Sequence, residues 1–180
     1  MFLSDRDIRE EVHRGHLRIE PFNEGNIQPN SYDITLGSDF KMLDESHESG
    51  GIIDFEKEPI YRSYEGIFIL PAMQFALGTT LEYIALPDDI IASVQGRSSI
   101  GRRGLFIQNA GWIDSGFEGT LTLELFNPNN LGMILREGTR IGQLTFAYAN
   151  PSEHPYHGKY SGQRGTTGSK SYLDREYGKR

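Results

Sequence analysis

The chain has 180 residues, 37% of them hydrophobic, no cysteine and a formal net charge of −7. That size suits one compact domain with a tail, while the missing thiols exclude disulfides and thiolate metal sites and fit a cytoplasmic setting. The acidic balance disfavours a nucleic-acid partner, no apolar run approaches membrane-spanning length, and 21 glycines with eight prolines predict a turn-rich, mainly β fold.

The N-terminal segment MFLSDRDIREEVHRG is too charged for a secretory signal. Ser4 and Asp7 have capping-box spacing, Ile8 and Val12 share a helical face, and Gly15 is a stop, so residues 5–14 are expected to form one short helix. In NIQPNSYDITLG, Pro29-Asn30 marks a turn. Tyr32, Ile34 and Leu36 then alternate with Ser31, Asp33 and Thr35, the period of a strand. The acidic run DESHESGG, residues 44–51, is expected as a solvated loop.

From Ile67 onward, IFIL, MQFALGTTLEYIAL, IIASVQ, TLTLELF, MIL and RIGQLTFAY read as strands separated by Pro, Gly, Asn or Asp, the spacing of a sandwich, jelly roll or barrel. Glu137-Gly138 has the composition of a hairpin turn between MILR and TRIGQLTF. From Pro151 the chain is polar and Gly/Ser-rich and cannot build a core. Two units are therefore expected: a β domain over 1–150, and a tail over 151–180 that is either disordered or ordered over a ligand or a neighbouring subunit.

Three stretches carry chemistry. In GRSSIGRRG, residues 96–104, serine hydroxyls and Arg97, Arg102 and Arg103 suit phosphate oxygens, although the spacing is not that of a P-loop and an ordinary basic turn has the same composition. In TLTLELF, Leu121, Leu123 and Leu125 share one face and Thr120, Thr122 and Glu124 the other. Glu124 is a surface residue if that face meets solvent, and a candidate general base if it lines a pocket. In NAGWIDSGFEG, Asp114 starts a turn, binds a sugar hydroxyl or orients a water. None of His13, His16, His47, His154 and His157 forms an H-x-E or H-x-H pattern beside a strand, and the zinc deaminase signature needs cysteines, so any deamination here would proceed without zinc.

Taken together these blocks resemble the dCTP deaminase family, relatives of the trimeric dUTPases. The match runs through SDRDI, QPNSYDITLG, LPDDI, GRSSIGRRG, GWIDSGFEGTLTLELFN, GTRIGQLTF and KYSGQRG, in order along nearly the whole chain. The resemblance implies a dUTPase-like distorted jelly roll or β-barrel with a short N-terminal helix, assembled as a homotrimer with sites at subunit interfaces. It implies that Arg97, Ser98, Ser99, Ile100, Gly101 and Arg102 hold the triphosphate, Arg102 also helping to place a water. Asp114 would hold the deoxyribose 3′-hydroxyl and Glu124 would be the acid/base, with Thr122 and Leu123 beside the base or sugar. Gln143, Tyr156, Lys159 and Gln163 would complete the site, the last three from a tail that closes over the nucleotide. Mg²⁺ would arrive with the triphosphate rather than in a dedicated protein site.

Some members of the family release dUTP; others continue to dUMP and pyrophosphate. Gly111 and Trp112 resemble the turn of the second branch, which is the expected product here. Readings as a dUTPase only, or as a non-catalytic nucleotide-binding β-trimer, remain open, and the presence of Glu124 speaks against both. The chain departs from the family between Arg102 and Asp114, where it is one residue shorter and carries Gln108 and Asn109. That loop is linked in the family to inhibition by dTTP.

Overall fold

The computed structural model describes residues 1–107 and 110–174. Helix α1, Asp5–His13, is opened by the expected capping box: Ser4 Oγ accepts from the Asp7 amide and Asp7 accepts from the Ser4 amide. Such a cap contributes about 1 kcal/mol. The strands follow as β1 (Arg18–Glu20), β2 (Ile27–Gln28), β3 (Ser31–Leu43), β4 (Tyr61–Glu65), β5 (Phe68–Leu70), β6 (Phe75–Ala85) and β7 (Ile90–Gly96). A single helical turn, α2 (Ser98–Gly101), precedes β8 (Phe106–Ile107), β9 (Trp112–Ile113), β10 (Glu118–Phe126), β11 (Met133–Leu135) and β12 (Arg140–Tyr148). The mainly β architecture expected from the sequence is the one observed.

Among the described residues the strands form one large antiparallel sheet with the path β8-β10-β6-β3-β12-β7-β9, and a separate β5–β11 pair. The long β3 bends the sheet. Its first half, Tyr32 to Thr35, pairs with β12, and its second half, Leu36 to Leu43, pairs with β6 and β4. The ladder slips at both changes of partner, as bulged strands do where a sheet curls. One limb of the curl therefore carries β12, β7 and α2, and the other carries β6 and β10.

The core sits inside the curl and contains Tyr32, Ile34, Leu36, Phe40, Leu123, Leu125, Leu144 and Phe146, all buried. The alternation read in β10 holds from Thr122 on, with Leu123 and Leu125 buried in the core and Thr122 and Glu124 half-buried on the other face. Before it the ladder to β6 slips between Thr120 and Thr122, and the buried Leu121 lines the same cavity as Thr122 and Glu124.

Two expectations are corrected. Glu137-Gly138 does turn, with Gly138 at φ 77°, but it joins no hairpin: β11 pairs with β5 while β12 pairs with β3 and β7. The Gly138 amide bonds the Leu36 carbonyl, so the turn hands the chain from one sheet to the other. The run 44–51 is not uniformly solvated either. Asp44 is buried, where Arg62 and Ser46 donate to it and hold its carboxyl far below the usual range.

Candidate active site

The outer face of β10 lines a cavity of about 700 Å³. Glu124 and Thr122 form its floor, and the walls are aromatic and aliphatic, including Tyr61, Trp112, Phe117 and Tyr156. A half-buried carboxylate facing such walls is placed to exchange protons with a planar ligand. Burial also pushes the Tyr61 hydroxyl above its ordinary range.

Strand β9 brings the GWID turn to the same cavity. Trp112 faces Ser93 on β7, and the Gly111 carbonyl accepts from the Val94 amide. Trp112 is exposed and its indole Nε1 donates to Asp114 Oδ1 at 2.9 Å. Leu123, expected beside base or sugar, has a wholly buried side chain on the core face and does not line the cavity.

The tail completes the enclosure. Gly119, at φ 148°, lets the tail backbone lie against β10: the Thr120 amide donates to the Gln163 carbonyl and the Gly162 amide to the Glu118 carbonyl. Gln163 Nε2 donates to the Thr120 carbonyl at 2.8 Å, and Thr122 Oγ1 accepts from the Thr167 amide at 3.0 Å. Tyr156 stacks obliquely on Phe117, and Lys159 pairs with Asp174. For the Lys159 ammonium, burial works against the charge, but Asp174 together with Tyr160 and Tyr156 outweighs it and the net shift is upward. Tyr156, Lys159 and Gln163 all line the cavity. Gln163 Oε1 is buried with no hydrogen-bond partner among the described residues.

The basic turn lies elsewhere. Arg97 precedes α2, Ser98, Ser99, Gly101 and Arg102 are exposed, and none of these residues lines the cavity. Ile100 packs against the core from the other side of the turn. Gln143 on β12 supports this region: its Oε1 accepts from Ser31 Oγ at 3.0 Å and its Nε2 donates to the Gly96 carbonyl. The chain thus presents two separate features, an aromatic cavity with carboxylates and a cationic turn. Gln108 and Asn109 lie outside the described residues.

Sequence reasoning did not single out Phe55, Tyr61, Phe117 or Tyr160 as cavity walls. Tyr160 stands inside the KYSGQRG block, whereas Tyr61 lies on β4, a polar edge strand with no alternation to reveal it. Among the described residues no group of three or more His, Asp or Glu side chains is gathered in a metal-ligand cluster, and no helix is long and apolar enough to cross a membrane.

A family profile described as dCTP deaminase-like matches residues 2–149. The "dCTP deaminase, dUMP-forming" of Persephonella marina is 46% identical over 183 residues, covering 98% of this chain and the whole of that protein. The protein of the same name from Aquifex aeolicus is 46% identical over 180 residues, covering 98% of each. Among solved structures, the 2′-deoxycytidine 5′-triphosphate deaminase of Agrobacterium tumefaciens superposes with a TM-score of 0.64 at 27% identity, over 81% of this chain and 47% of that one.

Proposed function

The chain belongs to the dCTP deaminase-like family, and on that premise we propose that it deaminates dCTP and cleaves the triphosphate, releasing dUMP, ammonia and pyrophosphate. The observation that carries this reading is Glu124, half-buried in the middle of β10 and facing an aromatic-walled cavity. A hydrolase acting only on the phosphates has no need of a carboxylate there.

Glu124 takes a proton from the water that attacks C4 of cytosine. It gives that proton to the ring nitrogen, then takes the second proton from the C4 hydroxyl of the tetrahedral intermediate and passes it to the amine, which leaves as ammonia as the C4 carbonyl forms. Tyr156, Lys159 and Gln163, which line the cavity, complete the nucleotide site. Asp114, with Oδ1 held by Trp112, keeps its second oxygen for the 3′-hydroxyl. A second water then displaces pyrophosphate at the α-phosphorus beside the Gly111-Trp112 turn.

The triphosphate falls to Arg97, Ser98, Ser99, Ile100, Gly101, Arg102 and Gln143. Because the basic turn does not line the cavity that holds Glu124, a complete site draws the two halves from neighbouring copies, which supports a homotrimer with sites at its interfaces. Mg²⁺ accompanies the triphosphate and offsets its charge, held chiefly by phosphate oxygens and water. The setting is the cytoplasm, and the substrates are dCTP and its deaminated product dUTP.

Glu124→Gln tests the assignment. Ammonia release is expected to fall by about 10²- to 10⁴-fold with dCTP binding retained. Undiminished deamination by the variant would rule out Glu124 as the acid/base.

A further inference from the structure

Beneath the basic turn lies a charge arrangement that the sequence pattern does not suggest. Asp33 on β3 is buried, 2% exposed. Its Oδ2 receives Arg97 Nε at 3.1 Å and Arg140 Nη1 at 3.3 Å. Arg97 is further oriented by Nη1, which donates to Ser99 Oγ. Arg97 lies between β7 and α2 while Arg140 opens β12, and both side chains remain partly exposed.

The backbone makes this possible. Asp33 faces Gln143 across the β3–β12 ladder, so ordinary alternation would send Arg140 to the opposite face. The ladder slips by one residue between Arg140 and Gly142, placing Arg140 opposite Thr35, on the face that Asp33 occupies. The irregularity thus converts a core-facing register into one that sets a second cation beside Arg97.

We propose that Asp33 is a positioning residue that holds Arg97 and Arg140 side by side as a two-arginine clamp, and that Arg140 is a further phosphate-binding residue. Two guanidinium groups this close repel one another unless a buried carboxylate lies between them. One carboxylate oxygen carrying two cations leaves a net positive charge with outward N–H donors, which suits phosphate oxygens. This inference rests on the reading of the basic turn as the triphosphate half-site.

The test compares dCTP, dCMP and deoxycytidine binding in the turnover-silent Glu124→Gln background, followed through Trp112, the one tryptophan of the chain. Arg140→Gln and Asp33→Asn are each expected to weaken dCTP about tenfold, roughly one charge-assisted contact, while deoxycytidine stays within about twofold. A merely structural lesion would weaken all three ligands alike. Arg140→Gln leaves the Asp33–Arg97 pair in place, so it decides the matter if Asp33→Asn does not fold. Arg97→Gln and Arg102→Gln serve as controls. If they weaken dCTP and Arg140→Gln does not, the clamp is wrong. If none of them does, the phosphate reading of the turn fails and the clamp with it.

Discussion

Trp112 Nε1 donates to Asp114 Oδ1 at 2.9 Å, so the chain's one tryptophan is bonded to the carboxylate assigned to the sugar. The indole stands exposed at the rim of the cavity. Trp112→Phe keeps an aromatic ring but removes the donor that fixes Asp114. The dUTP share of the product is expected to rise at the expense of dUMP, read by nucleotide chromatography. An unchanged ratio would separate this bond from triphosphate cleavage.

Glu124 lines the cavity and Arg102 does not; in the proposed site they act from neighbouring copies. Glu124→Gln and Arg102→Gln homo-oligomers are each expected to be inactive. Unfolded together and reassembled, they should regain part of the ammonia-releasing activity, because some interfaces then join an intact cavity to an intact basic turn. A site confined to one chain would give no recovery.

Gly119 is at φ 148°, and a Cβ there would stand 2.9 Å from the Gln163 carbonyl oxygen. Gly119→Ala therefore strains the β10 backbone, at a cost of about 1–3 kcal/mol, and pushes the tail away. Faster proteolysis within residues 151–174 and a raised KM for dCTP are expected. Unaltered proteolysis would mean that the tail is not held by this contact.

Glu11 on α1 is buried and accepts from Tyr148 Oη at 2.6 Å and from His16 and Arg14. Burial alone pushes its carboxyl up, but Tyr148, His16 and Arg14 together pull it below the ordinary range. Donation to Glu11 in turn raises the Tyr148 hydroxyl to about 12. A lowered carboxyl stabilises the fold above the unfolded glutamate range and loses that contribution as pH falls through the folded value. A raised phenol stabilises below about 10, and its contribution is lost as pH climbs towards about 12. Tyr148→Phe should cost about 1–3 kcal/mol near neutrality, as for a hydrogen bond to a charged group, and should flatten both limbs of the urea-midpoint profile against pH. A midpoint unchanged at all pH values would contradict the assignment.

The parts of the fold that depend on local pattern were legible in the sequence. Ser4 and Asp7 announce α1, and the alternation of β10 puts Leu123 and Glu124 on opposite faces. What depends on distant pairing was not. Strand β4, Tyr-Arg-Ser-Tyr-Glu, is mostly exposed and has no apolar period; only its partner β3 makes it a strand. Glu137-Gly138 carries turn chemistry, but composition does not say which strands a turn connects. The site divides the same way. Its motifs were readable as blocks, yet the separation of Glu124 from the basic turn follows from the bend in β3. The meeting of Asp33 with Arg140, 107 residues apart, depends on a one-residue slip in a ladder.

The most direct test of the function is to incubate the purified protein with dCTP and Mg²⁺ and measure nucleotides, pyrophosphate and ammonia together. Equal amounts of dUMP, pyrophosphate and ammonia, with no dUTP accumulating, are predicted. Accumulated dUTP would contradict the coupled reaction while leaving deamination in place, and intact dCTP without ammonia would contradict the assignment as a deaminase.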